Sequence, residues 1–128
     1  MAKEIIPHES AEQRALFVWA KMQSGKYPEL DLMYHIPNEG KRSRYTGQRM
    51  RAEGLKTGVP DICLPCARGA YHGLYIELKR RKGGKVSENQ RGWISALNEA
   101  GYMAVVCYGF EDAVNAIMNY LTLKEGEK

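Results

Sequence analysis

The chain lacks any long hydrophobic run. Its opening Met-Ala-Lys-Glu-Ile-Ile-Pro carries no signal-like apolar segment, and no stretch approaches the ~20 apolar residues of a membrane span. A soluble, cytoplasmic chain with no membrane partner is the expectation. Cysteine is scarce: three, an odd number, which suits a reducing compartment better than a disulfide framework. Two of them form Cys63-Leu-Pro-Cys66. Zinc would require two more ligands, and only Cys107, His8, His35 and His72 remain, with no second paired spacing. A redox pair would want a helix starting at the first cysteine, whereas Cys63 sits in a strand-like run and Pro65 and Gly69 mark a loop. Internal repeats, low-complexity segments, interior linkers and a separate sequence-reading module are also missing. What remains is a single domain over residues 1–128, with its core at about 9–121 and frayed tails.

The net charge is only +4, but its placement is uneven. Lys41, Arg42, Arg44, Arg49, Arg51 and Lys56 face Glu53 alone, and Lys79, Arg80, Arg81, Lys82 and Lys85 form a run with no acid. Outside these two segments the chain is net acidic. Two basic blocks around one motif point to a polyanion gripped through its phosphates, against the plainer reading of solvated basic faces.

Between the blocks lie two strand-like pieces, Gly58-Val-Pro-Asp61-Ile-Cys-Leu and Gly73-Leu-Tyr-Ile-Glu77-Leu-Lys79. Alternation sends Leu74, Ile76 and Leu78 to one face and Tyr75, Glu77 and Lys79 to the other. The short connection over residues 65–73 pairs the strands as neighbours. Asp61, Glu77 and Lys79 therefore meet at a strand end. Two carboxylates are what a hard divalent cation asks of a protein, and a lysine beside them can position water and offset charge on a phosphate.

The remaining elements follow from pattern. Residues 10–24 read as a helix capped by Ser10 with Gln13 closing a capping box. Glu12, Ala15, Leu16 and Trp19 share its inner face, so Glu12 is open to two readings: a first-turn carboxylate favoured by the helix dipole, or a site residue. Leu32–Ile36 reads as a strand with His35 packed in it, and Asn38-Glu-Gly40 as a turn, with Asn38 a secondary candidate for a phosphate contact. Residues 43–54 are either a helix fixed mainly by packing or a segment that orders on nucleic acid. Ser87 opens a helix to Ala100. Gln90 closes its capping box, yet also lies on the inward face with Trp93, Ile94 and Leu97. Tyr102–Cys107 is a buried strand reached by a parallel crossover, and Phe110–Leu121 an amphipathic helix with Glu111 and Asp112 at its positive end. The sum is an α/β sandwich around a mixed four-stranded sheet flanked by helices.

Pro60-Asp61, followed sixteen residues later by Glu77-x-Lys79, resembles the PD-(D/E)XK nuclease superfamily. Ile36-Pro-Asn-Glu39, Gly58-Val-Pro-Asp61, Tyr75-Ile-Glu-Leu-Lys79 and Ser87-x-x-Gln90-x-x-Trp93 together resemble, in order, the VRR-NUC nuclease domain. The resemblance implies a restriction-endonuclease-like fold and a metal-dependent endonuclease acting on DNA. In that scheme Asp61, Glu77 and the backbone carbonyl of Leu78 hold Mg²⁺ or Mn²⁺, Lys79 steers water, and Glu12 and Gln90 complete the site. Lys41, Arg42, Arg44, Arg49, Arg80, Arg81, Lys82 and Lys85 grip the DNA backbone. It further implies a homodimer acting on branched DNA in the manner of Holliday junction resolvases. The competing reading is a non-catalytic nucleic-acid-binding protein on the same fold, which the intact Asp61, Glu77 and Lys79 argue against.

Overall fold

A computed structural model describes residues 5–37 and 44–128, with only the backbone of Arg44 and Tyr45. Lys41, Arg42 and the turn around Asn38 lie outside the described residues. Four strands make one mixed sheet in the order β1-β2-β3-β4. These are β1 (Tyr34–His35), β2 (Ile62–Leu64), β3 (Leu74–Lys79) and β4 (Met103–Tyr108). Strands β1, β2 and β3 pair antiparallel, and β3 pairs parallel with β4 after a crossover through helix α3 (Glu88–Glu99). Helices α1 (Glu9–Gln23), α2 (Arg44–Ala52) and α4 (Phe110–Leu121) complete the fold. No described helix is long and apolar enough to cross a membrane.

The alternation in β3 decides which sheet face becomes core. Leu74, Ile76 and Leu78 join Ile62, Leu64 and Cys107 under Leu16 and Ala20 of α1 and Ala113, Ile117 and Tyr120 of α4, all buried. The Tyr120 hydroxyl satisfies itself inside this layer by donating to Cys66 O at 2.6 Å. The opposite sheet face carries Asp61, Cys63, Tyr75, Glu77 and Lys79 and is roofed by α3. That roof is thin, because no residue of α3 is buried; Trp93, Ile94 and Leu97 are only half covered.

Three local expectations shift. Helix α1 starts at Glu9 with His8 at the N-cap and no side-chain cap, so Ser10 does not cap it. The segment leading into α1 is instead clamped by Arg80, whose guanidinium donates to Ile6 O at 3.0 Å and Pro7 O at 3.3 Å. The strand expected over Leu32–Ile36 shrinks to Tyr34–His35 because Pro28–Leu32 wind into a 3-10 helix. His35 is exposed rather than packed, with Nδ1 3.0 Å from Asp61 O. Helix α2 forms over the basic segment, but among the described residues it packs closely on no other element. An exposed Arg49–Glu53 pair at 3.2 Å lies along it.

Candidate metal centre

Asp61 is pinned twice. Its carbonyl accepts from Ile36 N at 2.6 Å, which ties it to the residue just after β1. Its Oδ2 accepts the Leu78 amide at 2.8 Å, so the carboxylate is held against β3 one residue from Glu77. The same edge of β3 carries the Leu78 carbonyl, since the N–H and C=O of an extended residue point the same way. Gly58 makes this approach possible. It adopts φ +93°, and a Cβ there would stand 2.7 Å from the Asn89 carbonyl carbon, so only glycine lets the Asp61 loop pass against the start of α3.

Glu77 is 1% exposed, on the face that α3 covers. Its Oε2 accepts from Gln90 Nε2 at 3.3 Å and lies 3.6 Å from Lys79 Nζ. Its Oε1 is buried with no hydrogen-bond partner. A third carboxylate completes the group: one oxygen each from Glu9, Asp61 and Glu77 lies within 4.8 Å of the others. Burial, then the neighbouring Asp61 and Glu9 carboxylates, push Glu77 up to about 8, with Lys79 pulling the other way. Glu9 is raised by burial and by Asp61, again opposed by Lys79. Three crowded carboxylates, one with an orphaned buried oxygen, gather hard oxygen donors in one place. Oxygen donors in this number fit a hard divalent ion, so the residues present suit the metal that the motif implies.

Glu12 is elsewhere. It is buried, but its Oε2 accepts Phe110 N at 2.5 Å, capping α4, and its Oε1 sits 3.3 Å from Arg81 Nε. The residue on α1 that reaches the cluster is Glu9, one turn earlier. The signal was present in Glu9-Ser-Ala-Glu12, two acids on one helix face, but a helix started at Ser10 left Glu9 outside it. Gln90 does both things open to it: its Oε1 accepts Ser87 N at 2.9 Å in the capping box while its amide donates to Glu77.

The basic residues divide by partner. Arg80 holds the chain before α1, and Arg81 is paired with Glu12, so both serve the fold as well as any ligand. Arg49 pairs with Glu53. Lys82 and Lys85 are exposed on the β3–α3 loop, and the Arg44 side chain lies outside what is described. Cysteine enters no metal-binding group among the described residues; all three thiols are free, and Cys63 is buried within β2.

The family model for the VRR-NUC domain matches residues 2–111. A solved structure described as a VRR-NUC domain protein is 31% identical, aligns over 98% of both chains and superposes with a TM-score of 0.83. Among curated proteins no sequence matches. The match spans most of the chain and includes the three carboxylates, Lys79 and Gln90, and the likeness extends to the whole sheet and its helices: the chain belongs to the VRR-NUC domain family and has its nuclease-type fold.

Proposed function

We propose that this domain is a divalent-metal-dependent endonuclease that hydrolyses phosphodiester bonds in branched DNA. The observation that carries the reading is the buried, unpartnered Glu77 Oε1 on a carboxylate that clusters with those of Asp61 and Glu9, with Lys79 alongside. Asp61, Glu77 and Glu9 would hold Mg²⁺ or Mn²⁺, with the Leu78 carbonyl as a further oxygen donor. When bound, such an ion supplies Lewis-acid activation of water and neutralises charge developing on the phosphate.

The chain's own groups do the rest. Lys79 is 8% exposed and anchored by Glu77, so its ammonium is preoriented to donate to the attacking water and to a phosphoryl oxygen. Gln90 fixes the Glu77 carboxylate from above through one amide hydrogen bond. Lys82 and Lys85, on the loop that leaves Lys79, meet the DNA backbone, so recognition follows shape more than sequence. Each neutralised phosphate adds about 0.9 to the log–log salt slope.

One active site cuts one strand, so resolving a four-way junction takes two sites related by a dyad; a homodimer is the simplest assembly that provides them. The test is purified protein with Mg²⁺ or Mn²⁺ on a panel of junction, flap, splayed and continuous duplex DNAs, with light scattering to determine assembly. Paired cuts in a junction by a dimer are expected. A monomer that cuts only flaps would remove the resolvase part, and absence of cleavage with either ion would remove the nuclease reading.

A further inference from the structure

Beside the metal centre, an open groove of ≈ 730 Å³ runs between the β3–α3 loop, α3 and the outer edge of β4. Its walls include Lys85, Val86, Arg91, Ile94, Val106 and Tyr108. That volume falls within the range of about 300–1,000 Å³ typical of small-ligand clefts.

The groove and the centre share a wall. Tyr108 is the register partner of Lys79 across β3 and β4, so the two side chains leave the same sheet face next to each other. Gly84, at the groove mouth, lies so close to Lys79 that a Cβ there would stand 2.9 Å from the lysine's own Cβ. A strand whose phosphate is held at Lys79 therefore continues directly into the groove.

Its chemistry is that of a nucleotide pocket. Tyr108 is 43% exposed, unusual for a strand aromatic, and offers a free ring face. Lys85 and Arg91 supply positive charge, the lining contains no acid, and Arg91 is held in place by donating to Val86 O at 3.1 Å. The outer edge of β4 presents the N–H and C=O of Ala104, Val106 and Tyr108. Asn98 takes both groups of Ala104, and Asp112 accepts the Tyr108 N–H. These two side chains block a partner strand from adding to β4. They leave one donor–acceptor pair, at Val106, facing the groove, which suits the edge of a base and not a ladder.

We propose that this groove holds one unpaired nucleotide of the DNA substrate, its base stacked on Tyr108 and its edge at Val106, with Lys85 and Arg91 on its phosphates. The proposal rests on the nuclease reading for why DNA lies at Lys79, and it assigns the groove a preference for DNA with an unpaired base next to the cut. The test is binding of the full chain in chelator, where no metal-dependent cut can occur. The two probes are a continuous duplex and the same duplex carrying a single unpaired 2-aminopurine. The bulged duplex should bind about tenfold more tightly, the contribution of one base–aromatic stack, with 2-aminopurine fluorescence quenched. Tyr108→Ala should bring that ratio to about one and remove the quench, Tyr108→Phe should keep both, and Ser95→Trp, filling the groove from exposed α3, should act like Tyr108→Ala without touching β4. A ratio near one in the unmodified protein, or a ratio that survives both Tyr108→Ala and Ser95→Trp, overturns the proposal. Cleavage of the junction, flap, splayed and continuous DNAs with Mn²⁺ is measured separately. A preserved ratio without cleavage removes the nuclease reading and leaves the groove standing, whereas cleavage without the ratio does the reverse.

Discussion

Glu9 and Glu12 sit one turn apart on α1, both acidic and both turned toward the body of the protein, yet their environments predict opposite responses to the same substitution. Glu9→Gln removes one of three crowded carboxylates, one that raises the proton affinity of Glu77. In metal-free protein this substitution should leave the melting temperature unchanged or raise it, since it relieves repulsion. In saturating Mn²⁺ it should abolish stabilisation. At a hundredfold excess over Kd, a bound ion stabilises the folded state by about 2.7 kcal/mol. At about 4 °C per kcal/mol for a domain of this size, the unmodified protein should gain ~10 °C and Glu9→Gln almost none. Glu12→Gln loses the charged acceptor of the Phe110 amide and the partner of Arg81. A lost helix cap costs about 1 kcal/mol, and the weakened pairing to half-exposed Arg81 adds less than another. The metal-free melting temperature should therefore fall by ~4–8 °C, while the Mn²⁺-induced gain survives. Differential scanning calorimetry of both variants with chelator and with Mn²⁺ decides the matter. If Glu12→Gln loses the metal response and Glu9→Gln keeps it, the register of α1 described above is wrong.

Other consequences follow from the same geometry. Because Glu77 is raised to about 8, the metal-free protein should lose stability as pH climbs from the ordinary carboxylate range to about 8, and Mn²⁺ affinity should rise over the same window as the competing proton leaves. Denaturant titrations at several pH values should show that slope vanish in Glu77→Gln, and a slope unchanged there refutes the assignment. Asp61→Asn and Lys79→Ala should abolish cleavage while keeping DNA affinity within a few-fold, measured by gel cleavage and fluorescence anisotropy, since each removes chemistry and little grip. Gln90→Ala removes both the acceptor for Ser87 N and the donor to Glu77, so it should lose activity and about 1 kcal/mol by denaturant titration. Arg80→Ala frees the segment before α1 and so should weaken Mn²⁺ binding several-fold by calorimetry, although Arg80 is no part of the cluster; Lys85→Ala should weaken DNA binding and leave Mn²⁺ binding unchanged.

Much of the architecture was legible in the residues because it depends on short-range chemistry. Period-two alternation in Leu74–Lys79 forces Glu77 and Lys79 onto one face and Leu78 onto the other, whatever surrounds them. The capping box of Ser87 and Gln90 is local, and so is the stripe that makes α4 amphipathic. The spacing of Asp61 from Glu77 implied neighbouring strands, and the strands are neighbours. Three-dimensional contacts decided the rest. Which glutamate of α1 faces Asp61 depends on where the helix starts, and the segment just before that start is held at the carbonyls of Ile6 and Pro7 by Arg80, more than seventy residues away in sequence. Whether an arginine in a basic run is free for a phosphate or spent inside the protein cannot be read from the run, because the partner of Arg81 is a glutamate on another helix. That Tyr108 stands beside Lys79 follows only from the parallel register of β3 and β4, a long-range pairing made through the intervening helix. Periodicity, capping and spacing are properties of neighbours in the chain, and sequence determines them; partner choice between distant charged groups is a property of packing, and only the fold determines that.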